Sequence, residues 1–417
     1  MEKFALKLNT NSVILNLFWD LLKIILSAKP KISTMKLDAI ALSQKLIQIP
    51  SYSGVNLQVI EFLADHLKNL GFSCDFLEYG GDNSYQVNNL HAVLNPKNSD
   101  KVLYFAGHTD VVNEGNKESW THDPFAAKII DGKLFGRGAA DMKCAIACFV
   151  SAVEEFLSAN KKPDFGIGFL ITNDEENDGV NGTKKVLEWM KKSNKIISHC
   201  LVGEPTNPEK FGEMIKVGRR GSIGFTVKII GKQGHVAYPE NAINPITVLL
   251  NLLKILKDHK FDDGTKFFDA TNLEITSITS QNLGGNVIPN DAGAAFNVRF
   301  NDMHTSQSII DLVEYACQKT IGFGAKYELI YRTSGESFLS KPALLAEITV
   351  NAVEKICGKK PVLSTTGGTS DARFIKDYAE VVEIGLINKT AHRIDEFSEV
   401  AEIEQLQKTY LEILKSF

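Results

Sequence analysis

The sequence predicts an α/β protein in which a second, α+β domain is inserted into the first. The chain has 417 residues, which is more than one hydrophobic core usually serves. From Met35 onward, helical and strand patterns alternate, as is typical of α/β architecture. Between residues 221 and 333 the order changes to strand, helix, strand, strand, helix, strand. We therefore expect a main domain from residues 35–220 and 334–417, and an inserted domain at residues 221–333.

Before residue 220, two helices are followed by strands, a hairpin and a long helix. Apolar runs indicate the strands, and the run at 165–172 has the composition of a buried strand. The hairpin at 127–135 is indicated by Asp131-Gly132, a strong turn pair. The predicted helices are 37–48, 56–70 and about 143–159, and the other predicted strands are 73–79, 89–94, 101–106 and 196–202.

After residue 220, the order strand, helix, strand, strand, helix, strand makes an inserted α+β unit of ordinary domain size. From residue 334 the first domain resumes. The predicted strands are 221–230, 272–279, 291–300, 325–331 and 381–385, and the predicted helices are 244–257, 305–321, 343–356 and 400–415.

The composition is that of an ordinary soluble globular protein, with 44% hydrophobic residues, 23% charged residues and a net charge of −4. No basic stripe interleaved with aromatic residues occurs, so we set nucleic acid aside as a partner. The six cysteines lack paired spacing, which favours free thiols in a reducing compartment. Cys144 and Cys148 lie four apart on a predicted helix, so a metal pair is conceivable, but a buried apolar role is favoured.

Residues 1–34 contain an apolar stretch that does not predict a membrane span. Asn16, Asp20 and Lys23 interrupt it, and it is shorter than the roughly 20 apolar residues that a spanning helix needs. Met35 stands directly before the first helix of good periodicity. We expect residues 1–34 to be an N-terminal extension, either upstream of the true start or a dispensable amphipathic arm, and a membrane anchor is the less favoured interpretation.

An acidic cluster closes the predicted strand 165–172 and is the first candidate for chemistry. Glu175 and Glu176 are adjacent, so their side chains diverge, and one could bind a metal while the other holds a proton. In open α/β sheets, sites form at the C-terminal ends of strands. Taken alone, such a cluster would more often be a solvated acidic loop.

Five further candidate residues also lie at or after the ends of predicted elements. His108 and Asp110 end one strand, where a carboxylate could orient a metal-binding imidazole. Asp141 follows a Gly-rich turn, Glu204 follows the strand 196–202, and His392 comes shortly after the strand 381–385. Histidines and carboxylates without a thiolate suit one or two zinc-like ions in a hydrolytic site.

These motifs resemble, in order, the signature of the two-zinc aminoacylase and carboxypeptidase family, from about Met35 to the C-terminus. The resemblance implies a metallo-exopeptidase-like catalytic domain, with a mixed sheet flanked by helices, and a ferredoxin-like inserted dimerisation domain. It implies two divalent ions per subunit, Zn²⁺ with Co²⁺ as a possibility, and makes Glu175 the general base. Asp110 would orient His108. The implied metal ligands are His108, Asp141 as the bridging residue, Glu176, Glu204 and His392.

Narrower motifs imply the substrate pocket and the partner. The resemblance implies a homodimer in which His235 comes from the partner's inserted domain to complete the site. Taken alone, Gly234-His235 would be only a turn after a strand. Gly285 stands where the family pattern usually has a second Asn, which puts one polar contact in doubt. The implied pocket residues are Arg219, Ser222, Tyr238, Asn286, Arg299, Gly368 and Thr369.

The implied activity is hydrolysis of N-succinyl-LL-2,6-diaminopimelate to succinate and LL-2,6-diaminopimelate, in the cytoplasm, as a step of lysine and diaminopimelate biosynthesis. Arg219 and Arg299 fit this substrate, because guanidinium forks recognise carboxylates. The first alternative is hydrolysis of another N-acyl amino acid, such as acetylornithine. A second alternative, a catalytically silent binding protein of the same fold, is disfavoured because Glu175 accompanies all five candidate ligands.

Overall fold

A mixed eight-stranded sheet carries most of the candidate site residues at the C-terminal ends of its central parallel strands. The computed structural model describes residues 38–417 except 56, 82–83, 160–161, 178, 281–283, 323 and 341–342, so the predicted extension at residues 1–34 lies outside the described residues. The strands are β1 Ser73–Tyr79, β2 Val87–Leu94, β3 Val102–His108, β4 Ile129–Ile130, β5 Lys133–Phe135, β6 Gly166–Thr172, β7 His199–Val202, β8 Met214–Lys216, β9 Gly218–Arg219, β10 Gly221–Ile230, β11 Gly234–His235, β12 Asn272–Thr279, β13 Val287–Ile288, β14 Asp291–Phe300, β15 Lys326–Gly335, β16 Phe338–Leu339, β17 Val362–Ser364, β18 Glu380–Glu383 and β19 Phe397–Glu399.

The helices lie between these strands and mostly agree with the sequence prediction. They are α1 Ala39–Ile47, α2 Gln58–Asn69, α3 Lys143–Ala159, α4 Thr183–Lys192, α5 Pro245–Asp258, α6 Ser306–Thr320, α7 Leu344–Cys357, α8 Ala372–Ile375 and α9 Val400–Ser416. None of the helices in the described part of the chain combines the length and apolar character that a membrane span needs.

The large sheet has the order β1-β2-β6-β3-β7-β18-β8-β17. Strands β6, β3, β7 and β18 are neighbours and run parallel, whereas β2 pairs antiparallel with β6 and β8 pairs antiparallel with β18. Every residue of β3 and β6 is buried, as expected for strands covered on both faces. The predicted α/β class with a mixed sheet flanked by helices is confirmed.

Successive residues of β3 point to opposite faces of the sheet and so contribute to two cores. Tyr104 packs with residues of α4 and α8. Phe105 stacks on Phe149 of α3 at 4.7 Å between ring centroids and meets Tyr410 of α9 edge-on at 5.7 Å. Since both faces are filled, polar side chains at the ends of these strands can reach solvent only at the sheet edge.

The second sheet has the order β12-β14-β10-β15 and is antiparallel throughout. Buried and more exposed residues alternate along β14, so one face packs against α5 and α6 and forms a separate hydrophobic core. The four strands of this sheet and the two helices follow the order that the sequence predicted for residues 221–333, which is strand, helix, strand, strand, helix, strand. This arrangement has ferredoxin-like topology. The exact domain boundaries remain a prediction.

Among the elements of the large-sheet region that were not predicted are α4, β8 and β17. Helix α4 begins at Thr183, soon after the acidic loop, and its N-cap residue Gly182 provides no side-chain cap. The Gly and Asn residues before α4 are typical of a loop, so the sequence gives no signal for the start of the helix. Strands β8 and β17 have three residues each and pair parallel with one another, which is too short for periodicity to detect.

Candidate metal and substrate site

One group of possible metal ligands forms around His108, the last residue of β3. Its Nε2 lies 3.1 Å from Asp141 Oδ1 and 3.7 Å from Glu204 Oε1. Asp141 sits in the turn between β5 and α3, and Glu204 follows β7 by two residues. Each of the three residues offers one ligand atom, and these three atoms lie within 4.8 Å of one another.

A second group shares Asp141 with the first. His392 Nε2 lies 2.9 Å from Glu176 Oε1 and 3.3 Å from Asp141 Oδ2. Asp141 therefore presents one oxygen to each group, as a bridging carboxylate would. The ligand atoms of this second set also lie within 4.8 Å of one another. Two nitrogen and oxygen donor sets without thiolate, joined by one carboxylate, fit a pair of zinc-like divalent ions.

The topology explains why residues so far apart in sequence meet. Strands β6, β3, β7 and β18 run parallel, so their C-terminal ends lie along one edge of the sheet. Glu176, His108 and Glu204 follow directly from three of these strands. Asp141 reaches the edge from the turn whose Gly138 has a φ of 86°, and His392 reaches it from the loop after β18, with a φ of 63°.

Asp110 takes a different position from the one expected of it. The partner nearest to His108 Nδ1 is the backbone carbonyl oxygen of Asp110, at 2.9 Å, and the Asp110 carboxylate is 3.6 Å away. That carboxylate instead accepts hydrogen bonds from the backbone N–H groups of Glu175 and Glu176, at 3.1 and 3.0 Å, and from Ser53 Oγ at 2.7 Å. Asp110 thus fixes the acidic loop as well as the imidazole.

Glu175 lies beside the two ligand groups and belongs to neither. Its side chain contributes to the same cavity as Asp141, Glu176 and Glu204. Burial, followed by the nearby charges of Asp371 and Glu176, raises the pKa of Glu175 to about 8. A carboxyl group with this pKa exchanges protons near neutral pH, as a general base and acid must.

The electrostatics of the cluster favour positive charge. Burial alone would lower the pKa of His108, but the carboxylates of Asp141 and Glu204 raise it well above its ordinary value. Hydrogen bonds to Asp141 and Glu176 raise the pKa of His392 to about 10. Burial would raise the pKa of Asp141, but hydrogen bonds from both imidazoles lower it well below its ordinary value. An arrangement that stabilises cations in this way suits divalent metal ions.

The ligand groups open into a cavity of about 750 Å³ whose lining also includes a set of basic residues, the basic wall. Of the predicted pocket residues, Arg219, Arg299, Gly368 and Thr369 line it. Further polar residues that the sequence motifs did not assign to the pocket also line the cavity. These are Lys184, Lys216, Arg332, Arg373 and Asn388.

Two predicted substrate arginines differ in what their guanidinium groups contact. The Nε and Nη2 atoms of Arg219 donate to the two carboxylate oxygens of Glu383, and its Nη1 donates to Gly368 O at 3.1 Å. The fork of Arg219 is thus used by a buried carboxylate at the end of β18, which differs from the expectation that it faces the substrate. Arg299 Nη1 is buried and has no hydrogen-bond partner among the described residues, so this arginine has donors for a ligand.

Four predicted residues do not line the cavity. Ser222 is buried and accepts a hydrogen bond from Asn297 at 3.3 Å. His235, Tyr238 and Asn286 are exposed and lie together where β11 pairs with β13. Val236 N donates to Asn286 O at 3.1 Å, and the rings of His235 and Tyr238 are 5.8 Å apart.

The conceivable cysteine metal pair has no support among the described residues. Cys144 and Cys148 are both fully buried in α3, and burial raises the pKa of each thiol. Cys148 Sγ donates to Ile403 O at 3.3 Å. Both residues therefore act as small apolar packing groups.

The fold and the donor set together are those of a metal-dependent hydrolase. More particularly, the chain belongs to the peptidase family M20/M25/M40, whose family model matches residues 104–416. This confirms the family resemblance of the sequence motifs.

Curated relatives match nearly the whole chain. The succinyl-diaminopimelate desuccinylase of Pelagibacter ubique is 48% identical over 379 residues, which cover 91% of this chain and 98% of the relative. That of Ehrlichia canis is 44% identical over 386 residues, covering 92% and 99%. Among solved structures, the M20 metallo-carboxypeptidase of Sulfolobus solfataricus has a TM-score of 0.75 at 17% identity, covering 91% of this chain and 99% of that one. The last likeness supports the fold only.

Proposed function

We propose that the chain hydrolyses N-succinyl-LL-2,6-diaminopimelate to succinate and LL-2,6-diaminopimelate. The observation that carries the proposal is one cavity lined both by the two ligand groups and by several guanidinium and ammonium groups. A substrate with several carboxylates and one amide bond complements both sets of groups. The relatives named for this reaction match the chain over nearly its full length. The reaction belongs to lysine and diaminopimelate biosynthesis, and we place it in the cytoplasm.

The metal chemistry belongs to His108, Asp141 and Glu204 on one side and to Asp141, Glu176 and His392 on the other. Two divalent ions held there, Zn²⁺ or Co²⁺, would polarise the amide carbonyl and acidify water. Glu175 takes the proton of the attacking water and returns it to the leaving amine nitrogen. Its position next to both groups, but in neither of them, suits this role.

Arg299 is the first candidate to bind a substrate carboxylate. It lines the cavity and has a buried, unpartnered Nη1. Burial and the neighbouring Arg220 lower the pKa of Arg299. A substrate carboxylate bound to Arg299 would accept a charge-assisted hydrogen bond from the unpartnered donor. Its negative charge would also offset the repulsion between Arg299 and Arg220.

The active unit we propose is a homodimer with shared sites. His235, Tyr238 and Asn286 are exposed together on the β11–β13 ribbon and do not line the cavity of their own chain. If the partner presents this ribbon to the cavity, the His235 imidazole can donate a hydrogen bond to the oxyanion of the tetrahedral intermediate. Residues 221–333 are then the dimerisation domain.

The deciding experiment uses purified protein reconstituted with Zn²⁺ or Co²⁺. It should release succinate from N-succinyl-LL-2,6-diaminopimelate with a kcat/KM at least ~100-fold above that for N-acetylornithine, which lacks the succinyl carboxylate. Equal or better turnover of the acetyl substrate would assign the chain to the alternative deacylase activity.

A further inference from the structure

We propose that Glu396 is a positioning residue that fixes the proposed bridging ligand Asp141 and the proposed ligand His392 in position relative to each other. Glu396 lies four residues after His392, and none of its surface is exposed to solvent. Its carboxylate reaches across to the turn that carries Asp141, where it accepts four hydrogen bonds. The inference rests on the proposed metal site, and it does not depend on which amide is the substrate.

Each oxygen of Glu396 has two donors. Oε1 accepts from the backbone N–H groups of Ala140 at 2.9 Å and Asp141 at 3.2 Å. Oε2 accepts from Gly138 N at 3.1 Å and from Arg137 Nη1 at 2.6 Å. One of the contacts is therefore made with the backbone of the proposed bridging ligand itself. An ionised carboxylate can accept two hydrogen bonds at each of its oxygens, which matches this set of donors.

Further contacts tie the same two segments together. Gly136 N donates to Glu396 O at 2.9 Å, and Arg137 Nη1 also lies 3.2 Å from Arg393 O, next to His392. Strand β19, which begins after Glu396, pairs antiparallel with β5, which ends before Gly136. The turn with Asp141 and the loop with His392 thus form one hydrogen-bonded unit, and the buried carboxylate is at its centre.

The Glu396→Gln substitution breaks this unit in a defined way. An amide keeps one acceptor oxygen and presents an NH₂ group at the other position. If the oxygen stays with Arg137, the NH₂ faces the N–H groups of Ala140 and Asp141, and these donors repel each other. The backbone of Asp141 must then shift, and with it the carboxylate shared by both ligand groups.

The test compares Zn²⁺ affinity in the metal-free, full-length chain. We expect Glu396→Gln to weaken Zn²⁺ binding by about 10–100-fold, the usual loss when a group that orients a ligand is removed. The electronic absorption spectrum of the Co²⁺ form should change as well. Glu396→Asp retains the charge next to Arg137 but is one methylene shorter, so it should fold and still lose affinity.

Asp262→Asn is a matched control. The Asp262 side chain is also buried, and it accepts from Gly264 N at 2.7 Å, Thr271 N at 3.2 Å and Asn301 Nδ2 at 2.7 Å, in a loop without any proposed ligand. Its isosteric substitution should lower the melting temperature and leave Zn²⁺ affinity and the Co²⁺ spectrum unchanged.

The outcomes separate this inference from the proposed function. If the wild-type chain binds no Zn²⁺, the metal site itself is wrong. If the wild-type chain binds Zn²⁺ and both Glu396 variants bind it as tightly, with the wild-type Co²⁺ spectrum, Glu396 only stabilises the fold and its positioning role is refuted.

Discussion

Replacing Glu175 with Gln should leave metal binding intact and remove most turnover. Glu175 contributes to neither ligand group, and each group is complete without it. Gln has nearly the same shape, and the backbone N–H of residue 175 keeps its hydrogen bonds to Asp110, at 3.1 and 3.3 Å. The loop that carries Glu176 therefore keeps its position, and the number of bound ions should not change.

The loss of turnover can be bounded. Removing a general base costs about 10²–10⁴-fold in rate. At about 1.36 kcal/mol per factor of ten, this is a rise of roughly 2.7–5.5 kcal/mol in the activation barrier. KM should change little, because the amide side chain of the variant removes no predicted carboxylate contact.

The pH profile gives the same prediction a second readout. Burial and the nearby carboxylates raise the pKa of Glu175 to about 8, and bound cations would lower it from there. The base acts in its ionised form, so wild-type kcat should increase as pH rises through this pKa and then level off. The residual activity of Glu175→Gln should lack that increase.

Metal analysis and steady-state kinetics decide the matter, with Glu176→Gln as the matched control. Glu176 Oε1 lies 2.9 Å from His392 Nε2 within a ligand group, so its substitution should reduce metal content. A Glu175→Gln protein that lacks an ion would make Glu175 a ligand. Full activity of that variant would refute its role as the base.

Three further predictions concern the substrate, the partner and stability. Arg299→Met should lower kcat/KM for the succinylated substrate by about 10–100-fold, whereas Arg220→Met, outside the cavity, should not; equal losses would contradict the carboxylate contact. Mixing inactive His235→Ala and Glu175→Gln proteins should restore up to about a quarter of wild-type activity through hybrid dimers, and no recovery after verified subunit exchange would place His235 in its own site. Burial, followed by a neighbouring carboxylate, raises the pKa of Glu402 to about 7, so the contribution of Glu402 to stability falls as pH rises from about 4.5 to 7. Glu402→Gln should therefore raise the melting temperature at about pH 8 and not at about pH 4, and an equal gain at both would refute the titration.

The sequence identified the candidate ligands because each follows an element with a clear pattern. His108, Glu176 and Glu204 come at or just after apolar runs that are buried parallel strands in the structure. Parallel strands end at a common edge, so convergence could be predicted without knowing the strand order. The pairing of ligands into two groups could not be predicted in this way, since it depends on the turn at Asp141 and the loop at His392.

Most of the basic residues that line the cavity could not be assigned to it from the sequence. Lys216 lies on the three-residue strand β8 and donates to Thr366 Oγ1 at 2.6 Å, a contact that no periodicity indicates. Arg332 lies on β15 of the second sheet, and Arg373 lies in the short helix α8, 41 positions later in the chain. Single arginines on exposed or short elements look like ordinary surface charge.

Arg219 explains how the two sheets come to share the basic wall. It belongs to β9, which pairs with β16, and these short strands lie next to the two points where the chain enters and leaves residues 221–333. Its guanidinium is held by Glu383 at the end of β18 and by Gly368 O in the cavity wall. The connection to the second sheet, which carries Arg299, is therefore fixed to the sheet edge that carries the metal ligands. The Arg219–Glu383 ion pair is buried, and the loss of one partner would leave an uncompensated buried charge.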